Sequence, residues 1–259
     1  TVLLGSTKEL VVFFSSRGSA YVCRALDIPA STGYGEPVQK LFKLDDGETV
    51  VSALSLDPRV RPAAELQMIA LTRGGLSLRF SLTAHSEVST RSGRLFAKVS
   101  DGDAVLAVRP CRGEAAVTAA TALGRTLTCK AEEVPVLSGA GKGAHFIKLQ
   151  EGDRVLGFSV GEPLLVETDK AATLALGGSA ADLTARGGKG KELPKRAKLA
   201  RVITPPPTLP QGATGKASPA ATAAAPTAGG EAGDADGEGG QAPGKAGKSD
   251  FGPLFGSRS

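Results

Sequence analysis

The residues best suited to chemistry in this chain are cations set among glycines. Arg186-Gly187-Gly188-Lys189-Gly190-Lys191 interleaves positive charge with residues that lack a Cβ, so side chains and backbone amides can both approach a phosphate. Lys195, Arg196, Lys198 and Arg201 follow, and Glu192 is the one acid from Arg186 to Arg201. The 259-residue chain has a formal net charge of +5, yet residues 1–185 carry 20 basic and 20 acidic side chains. The excess is therefore concentrated in one short segment. The chemistry it offers is polyanion binding by counterion release; the bland alternative is a solvated basic loop with no ligand.

Covalent chemistry has far less to work with. Cys23, Cys111 and Cys129 are odd in number and lack C-x-x-C spacing, so neither a disulfide framework nor a zinc site is expected, and each reads as a buried small hydrophobe. His85 and His145 are too isolated for a metal site or a triad and read as loop or surface residues. Gly139-Ala140-Gly141-Lys142-Gly143 lacks the G-x-x-x-x-G-K-[ST] spacing of a phosphate loop. Tyr21 reads as strand packing and Tyr34 as a rim or interface contact. No catalytic residue, metal ligand or ATP site is expected here.

These cations must be positioned by a repeat of about fifty residues, within the range of propeller-type units. Its phrases are an apolar run, a glycine turn, a second run, a glycine-rich loop, a third run, an acidic Gly turn and a final run. Copy 1 runs through Leu10 to Phe14, Ala20 to Cys23, the loop Ile28 to Gly35, Leu41 to Leu44, Asp45-Asp46-Gly47-Glu48 and Val50 to Leu56. Copy 2 has Met68 to Leu71, Leu76 to Phe80, the loop Arg91-Ser92-Gly93-Arg94, Leu95 to Val99 and Val105 to Val108. Copy 3 has Val117 to Ala120, Leu127 to Cys129, the loop Gly139 to Gly143, Phe146 to Leu149 and Val155 to Val160. An eroded copy 4 runs from Leu164 through Thr173 to Leu176, Arg186 to Gly190 and Leu199 to Ile203, with Lys170-Ala171 where its first turn should hold glycine.

Short apolar runs punctuated by Gly, Asp and Ser fit strands, because helices need longer stretches with a 3.6-residue period. The fold class is all-β. Each copy is expected to supply four strands, and repeated sheets bury their apolar faces against one another as blades. The glycine loops and third runs also carry Lys40 and Lys43, then Arg91, Arg94 and Lys98, then Lys142 and Lys148. A unit that repeats in space returns these cations to one rim, a curved basic track suited to bent duplex DNA. A protein-interaction propeller with a basic loop is the rival reading, without the usual Trp-Asp signature since the chain has no Trp. A propeller hydrolase or lyase would need clustered carboxylates, histidines or metal ligands, and none cluster in the sequence.

Val12-Phe13-Phe14-Ser15-Ser16-Arg17-Gly18-Ser19-Ala20-Tyr21, with Ile28-Pro29 and Gly33-Tyr34-Gly35-Glu36-Pro37-Val38, resembles a blade of the C-terminal β-pinwheel of bacterial type IIA topoisomerase A subunits. The resemblance extends over Thr1 to Ile203. It implies a domain that binds and bends duplex DNA beside a separate cleavage core of the same polypeptide, within a heterotetramer with a topoisomerase B subunit. It also implies a cytoplasmic, nucleoid-associated bacterial isomerase whose ATP and magnesium act on other domains. In gyrase, a basic box Gln-Arg-Arg-Gly-Gly-(Lys/Arg)-Gly is needed for wrapping. Thr184 to Gly190 keeps its last five positions, but in the last copy and without the Gln and first Arg. This departure is more similar to topoisomerase IV, with gyrase a close second.

Residues 1–203 thus form the expected pinwheel of about four blades, and residues 204–259 an expected disordered tail rich in Ala, Gly and Pro. Phe251-Gly252-Pro253-Leu254-Phe255 in that tail reads equally as a docking peptide or as featureless chain. Val2-Leu3-Leu4 is expected to be the last strand of a preceding copy, with further repeats upstream. No run reaches the eighteen or so apolar residues of a membrane span, and no signal peptide is expected.

Overall fold

The computed structural model describes residues 2–60 and 66–204. Copy 1 supplies β1 (Leu10–Ser15), β2 (Ser19–Arg24) and β3 (Val50–Ser55). Copy 2 supplies β4 (Gln67–Thr72), β5 (Leu76–Ser81), β6 (Arg94–Leu95) and β7 (Val105–Cys111). Copy 3 supplies β8 (Ala116–Thr121), β9 (Arg125–Lys130), β10 (Ala144–His145) and β11 (Val155–Val160). Copy 4 supplies β12 (Leu164–Thr168), β13 (Thr173–Leu176), β14 (Lys191–Glu192) and β15 (Leu199–Val202).

The sheets do not follow the copies. Their strand orders are β3-β1-β2-β6, β10-β5-β4-β7, β11-β8-β9-β14 and, with one strand fewer, β13-β12-β15. Each of the first three sheets takes its outermost strand from the following copy, antiparallel, as in Ser19 opposite Leu95 and Ala20 opposite Arg94. Sequential blades are therefore stitched together by exchanged strands.

Copies 2, 3 and 4 each supply the expected four strands, whereas copy 1 supplies three. The third run of copy 1, Leu41 to Leu44, is not a strand, and those of copies 2 and 3 shrink to two-residue ladders at or just before Leu95 and Phe146. The reason lies in where adjacent residues pack: Phe96 and Ala97 enter the same core, and Phe146 and Ile147 enter another together. A strand sends neighbouring side chains to opposite faces, so two adjacent residues in one core require the chain to leave the ladder. Residues 2–6 likewise form no strand, contrary to the expectation for Val2-Leu3-Leu4. The predicted disordered tail and its Phe251 to Phe255 segment lie, from residue 205 onward, outside the described residues.

The first hairpin turn of copies 1, 2 and 3 receives the exchanged chain. The Gly18 carbonyl accepts from the amides of Phe96 and Ala97 at 2.9 and 3.1 Å, the Gly75 carbonyl from Phe146 at 2.8 Å, and the Gly124 carbonyl from Leu193 at 2.9 Å. All three glycines have positive φ, and an added Cβ would sit 2.4 Å from the Ala97 carbonyl oxygen, 2.6 Å from that of Ile147 and 1.9 Å from that of Ala197. Glycine is required there both for the turn and for the incoming backbone. Copy 4 has Ala171 at this place, also left-handed with φ 59°, and its sheet takes no exchanged strand.

A hydroxyl closes every one of these turns. Ser15, Thr72, Thr121 and Thr168 are buried, and their side-chain oxygens accept from the amides four residues on, at 3.1 to 3.2 Å. The acidic Gly turns serve the same region: Asp103 Oδ1 accepts from the Gly74 amide at 2.7 Å, and Asp153 Oδ1 from Leu123 at 3.0 Å.

Alternate residues of a strand feed successive cores. Met68 and Ala70 of β4 join Val12, Phe14, Leu78, Phe80 and Phe96 between the first two sheets. Ile69 and Leu71 join Val117, Leu127, Phe146 and Phe158 between the second and third. Burying each exchanged phenylalanine contributes about 2–3 kcal/mol. The last core, around Leu164, Val166, Leu176, Leu193 and Leu199, has no aromatic ring among the described residues. The inner strands β3, β7, β11 and β15 border a common cavity of about 470 Å3, whose walls include Val51, Leu106, Arg109, Leu156 and Val202.

His85 corrects the sequence reading. It is buried rather than at the surface, its ring edge-on to Phe80 with centroids 5.5 Å apart, and burial pushes its pKa down to about 4. The three cysteines are buried and free, as expected, and burial raises Cys23 and Cys111 to about 11 and Cys129 to about 12. Tyr21 is buried too, donating to Glu48 Oε1 at 3.1 Å.

Candidate nucleic-acid interface

Strand exchange sets each glycine loop beside the third run of the copy before it. The amide of Lys43 donates to the Arg91 carbonyl at 2.7 Å, that of Lys98 to Gly141 at 2.9 Å, and that of Lys148 to Gly188 at 2.8 Å. The same bond recurs at three successive seams. It brings Lys43 to the loop of Arg91 and Arg94, Lys98 to that of Lys142, and Lys148 to that of Lys189. Lys43, Lys98, Lys142, Lys148 and Lys189 are all exposed, and their ammonium groups make no ion pair or hydrogen bond among the described residues.

Local sequence dictates this placement. Gly93, Gly143 and Gly190 all have positive φ, and a Cβ there would lie 2.9, 2.2 and 2.7 Å from the carbonyl oxygens of Ala20, Ser77 and Thr126. These glycines permit the exchanged ladder, not a phosphate approach. Within the basic segment the amides also point inward: Arg186 donates to Glu133 Oε2 at 2.9 Å and Gly187 to the Phe146 carbonyl at 2.8 Å. The expectation that backbone amides there cradle an anion is therefore not met at Arg186 and Gly187.

The arginines are largely occupied. Arg186 is half-buried, with Nε 2.8 Å from the Glu133 carbonyl oxygen and Nη1 donating to that of His145. Arg91 reaches the carbonyls of Gln39 and Lys40, both at 3.3 Å, and Arg94 donates to that of Ala84. Arg201 pairs with Glu167 at 2.7 Å, and Arg196 approaches Glu192 at 4.0 Å. Lys191 Nζ donates to the Ala181 carbonyl at 3.3 Å, and Lys40 pairs with Glu36. Within the segment from Arg186 to Arg201, Lys189 and Lys198 are exposed cations whose ammonium groups are unengaged among the described residues.

The sequence reading missed two seam residues. Arg79 Nε donates to the Val134 carbonyl at 2.8 Å, doing from β5 what Arg186 does one seam later. Arg125, with its side chain 14% exposed, donates to Glu192 Oε1 at 2.6 Å and to the Lys189 carbonyl at 3.3 Å. For Arg79, its place as the one cation in the second run of copy 2, Leu76 to Phe80, was the available signal. No cluster of His, Cys, Asp or Glu suited to a metal occurs among the described residues, and none of their helices is long and apolar enough to cross a membrane.

A family model described as DNA gyrase C-terminal domain, beta-propeller, matches residues 9–57 and 117–161, which hold parts of copies 1 and 3. The chain is 28% identical over 156 residues to the probable chloroplastic/mitochondrial DNA gyrase A protein of Oryza sativa subsp. japonica, covering 60% of this chain and 16% of that protein. It is 27% identical over 161 residues to the DNA gyrase A protein of Escherichia coli strain K12, covering 61% and 18%. It thus spans less than a fifth of these relatives' length. Among solved structures, the C-terminal domain of DNA topoisomerase IV aligns with a TM-score of 0.68 at 16% identity, over 78% of this chain and 65% of the other. The E. coli ParC C-terminal domain aligns at 0.62 and 20% identity, over 77% and 82%. The matched repeats and the shared fold make this chain similar to the DNA gyrase C-terminal β-propeller domain, with the fold of the topoisomerase IV C-terminal domain.

Proposed function

We propose that this pinwheel binds duplex DNA along its rim and bends it, presenting the held segment to the cleavage core of a type IIA topoisomerase A subunit. The observation that carries the reading is the threefold seam, in which the same backbone bond brings an exposed, unpaired lysine to the next glycine loop. Spaced ammonium groups on flexible stems neutralise phosphates wherever these fall, so binding is nearly indifferent to sequence and steeply weakened by salt. Bending a duplex by 40–90° costs on the order of 1–6 kcal/mol, which contacts at several seams offset and a single patch would not.

Strand cleavage, the B subunit of the heterotetramer, and the ATP and magnesium that drive strand passage belong in this reading to other parts of the holoenzyme, acting on the nucleoid. The basic segment supports bending by a topoisomerase IV-like domain rather than full wrapping, because Arg186 is spent on the seam itself. Energy transfer between dyes at the two ends of a short duplex tests the reading, with heparin as competitor. The expected result is a rise in transfer on binding, common to unrelated sequences and lost at high salt. Binding without any change in end-to-end distance would overturn the bending claim.

A further inference from the structure

Copy 1 departs from the other copies at the glycine loop. From Ile28 to Pro37 it has no Lys or Arg, whereas the loops of copies 2, 3 and 4 hold Arg91 and Arg94, Lys142, and Arg186 and Lys189. What it presents instead is Tyr34 between Gly33 and Gly35. The tyrosine is fully exposed at 112% of its reference area, and an added Cβ at Gly35 would meet nothing within 4 Å. A bare aromatic side chain in water has no folding role to explain it.

The loop leads directly to the row of cations. The 3-10 turn Val38–Lys40 follows it, and the carbonyls of Gln39 and Lys40 accept from the Arg91 guanidinium. Arg91 in turn bonds the Lys43 amide through its carbonyl. A duplex lying on the seam lysines and running on past the first seam would thus meet an aromatic ring on an open glycine-flanked loop, where the later loops carry positive charge.

We propose that Tyr34 is a stacking contact to DNA, its ring inserting against a base step that bending opens. This rests on the DNA-binding reading and assigns to copy 1 the work of fixing a kink, where the lysines only hold the backbone. Side chains that wedge between bases bend duplexes by unstacking one step, and a phenol ring has the flat face and modest desolvation cost that this needs.

The composition supplies a direct probe. The chain has no Trp and two Tyr, and Tyr21 is buried with its hydroxyl on the Glu48 carboxylate, so a DNA-dependent change in tyrosine emission reports on Tyr34. Titration with a short duplex should quench that emission in the native chain and leave Tyr34→Phe, which retains a ring but not the phenol fluorophore, without the response. Heparin should bind without quenching. Tyr34→Ala should weaken duplex binding about tenfold, the loss expected for one stacked base, and reduce the bend, while Tyr34→Phe keeps both. If labelled duplex binds yet emission is unchanged and Tyr34→Ala bends DNA normally, the stacking role is overturned and the DNA reading stands. If no duplex binds at any salt concentration, the reading itself has failed.

Discussion

The arginines and the lysines of the seams carry the same charge and do different work. Arg79 and Arg186 hold backbone carbonyls of a neighbouring copy, Arg91 bonds carbonyls just after the first glycine loop, and Arg94 bonds one in its own copy. Lys98, Lys142, Lys148 and Lys189 stand exposed and unengaged among the described residues beside the same loops. The difference follows from side-chain chemistry: a planar guanidinium offers several fixed donors to carbonyls, whereas an ammonium on a mobile stem stays hydrated and available. Position beside a glycine loop therefore does not by itself leave a cation free for an anion. The arginines build the surface that the lysines present.

The largest structural effect expected from this division comes from the histidine packed beside a stapling arginine. His85 is held neutral in the folded chain, with its pKa near 4 through burial first and the Arg94 charge second. An unfolded histidine titrates near 6.5, so between these values the unfolded state binds more protons and stability rises with pH. The contribution is fully present above about pH 6.5 and is lost as pH falls toward 4, by up to about 3 kcal/mol. Denaturant melts at pH 7 and pH 4.5 should differ more in the native chain than in His85→Phe; equal differences would contradict this account.

Removing a staple is the next test. Arg186→Ala leaves the Glu133 and His145 carbonyls without their donor and should cost about 2 kcal/mol of stability, measured by urea unfolding. Arg186→Lys should recover only part, since an ammonium cannot reproduce the two-pronged geometry. A variant as stable as the native chain, with weakened DNA binding, would move Arg186 to the side of the lysines.

The smallest effect is expected at Glu192, which pairs with Arg125. Glu192→Gln releases that guanidinium and adds one positive charge, so DNA affinity should rise by severalfold at low salt while stability falls by about 1 kcal/mol or less. Fluorescence anisotropy of labelled duplex reads the first and a thermal melt the second. Unchanged affinity would mean that Arg125 is closed to DNA even when its acid is gone.

Much of this was legible in the sequence. The strands of the first, second and final runs follow from short apolar segments between glycine turns, and the erosion of copy 4 was visible in Lys170-Ala171. Strand exchange was not legible, because periodicity identifies a strand and says nothing of which sheet receives it. For the site, counting charge located the basic residues and could not separate those with occupied donors from those without. The emphasis on Arg186 to Lys191 as an open clamp fails at Arg186 and Gly187 because their amides, and the Arg186 side chain, find carbonyl and carboxylate partners in copy 3, far away in sequence.

The central claim is tested most directly by the salt dependence of duplex binding in a chain with Lys98, Lys142, Lys148 and Lys189 all replaced by alanine. The slope of log K against log salt should become shallower by about 3 to 4, at about 0.9 for each phosphate no longer neutralised, with the thermal melt unmoved. A slope equal to that of the native chain would show that these lysines do not meet the phosphates.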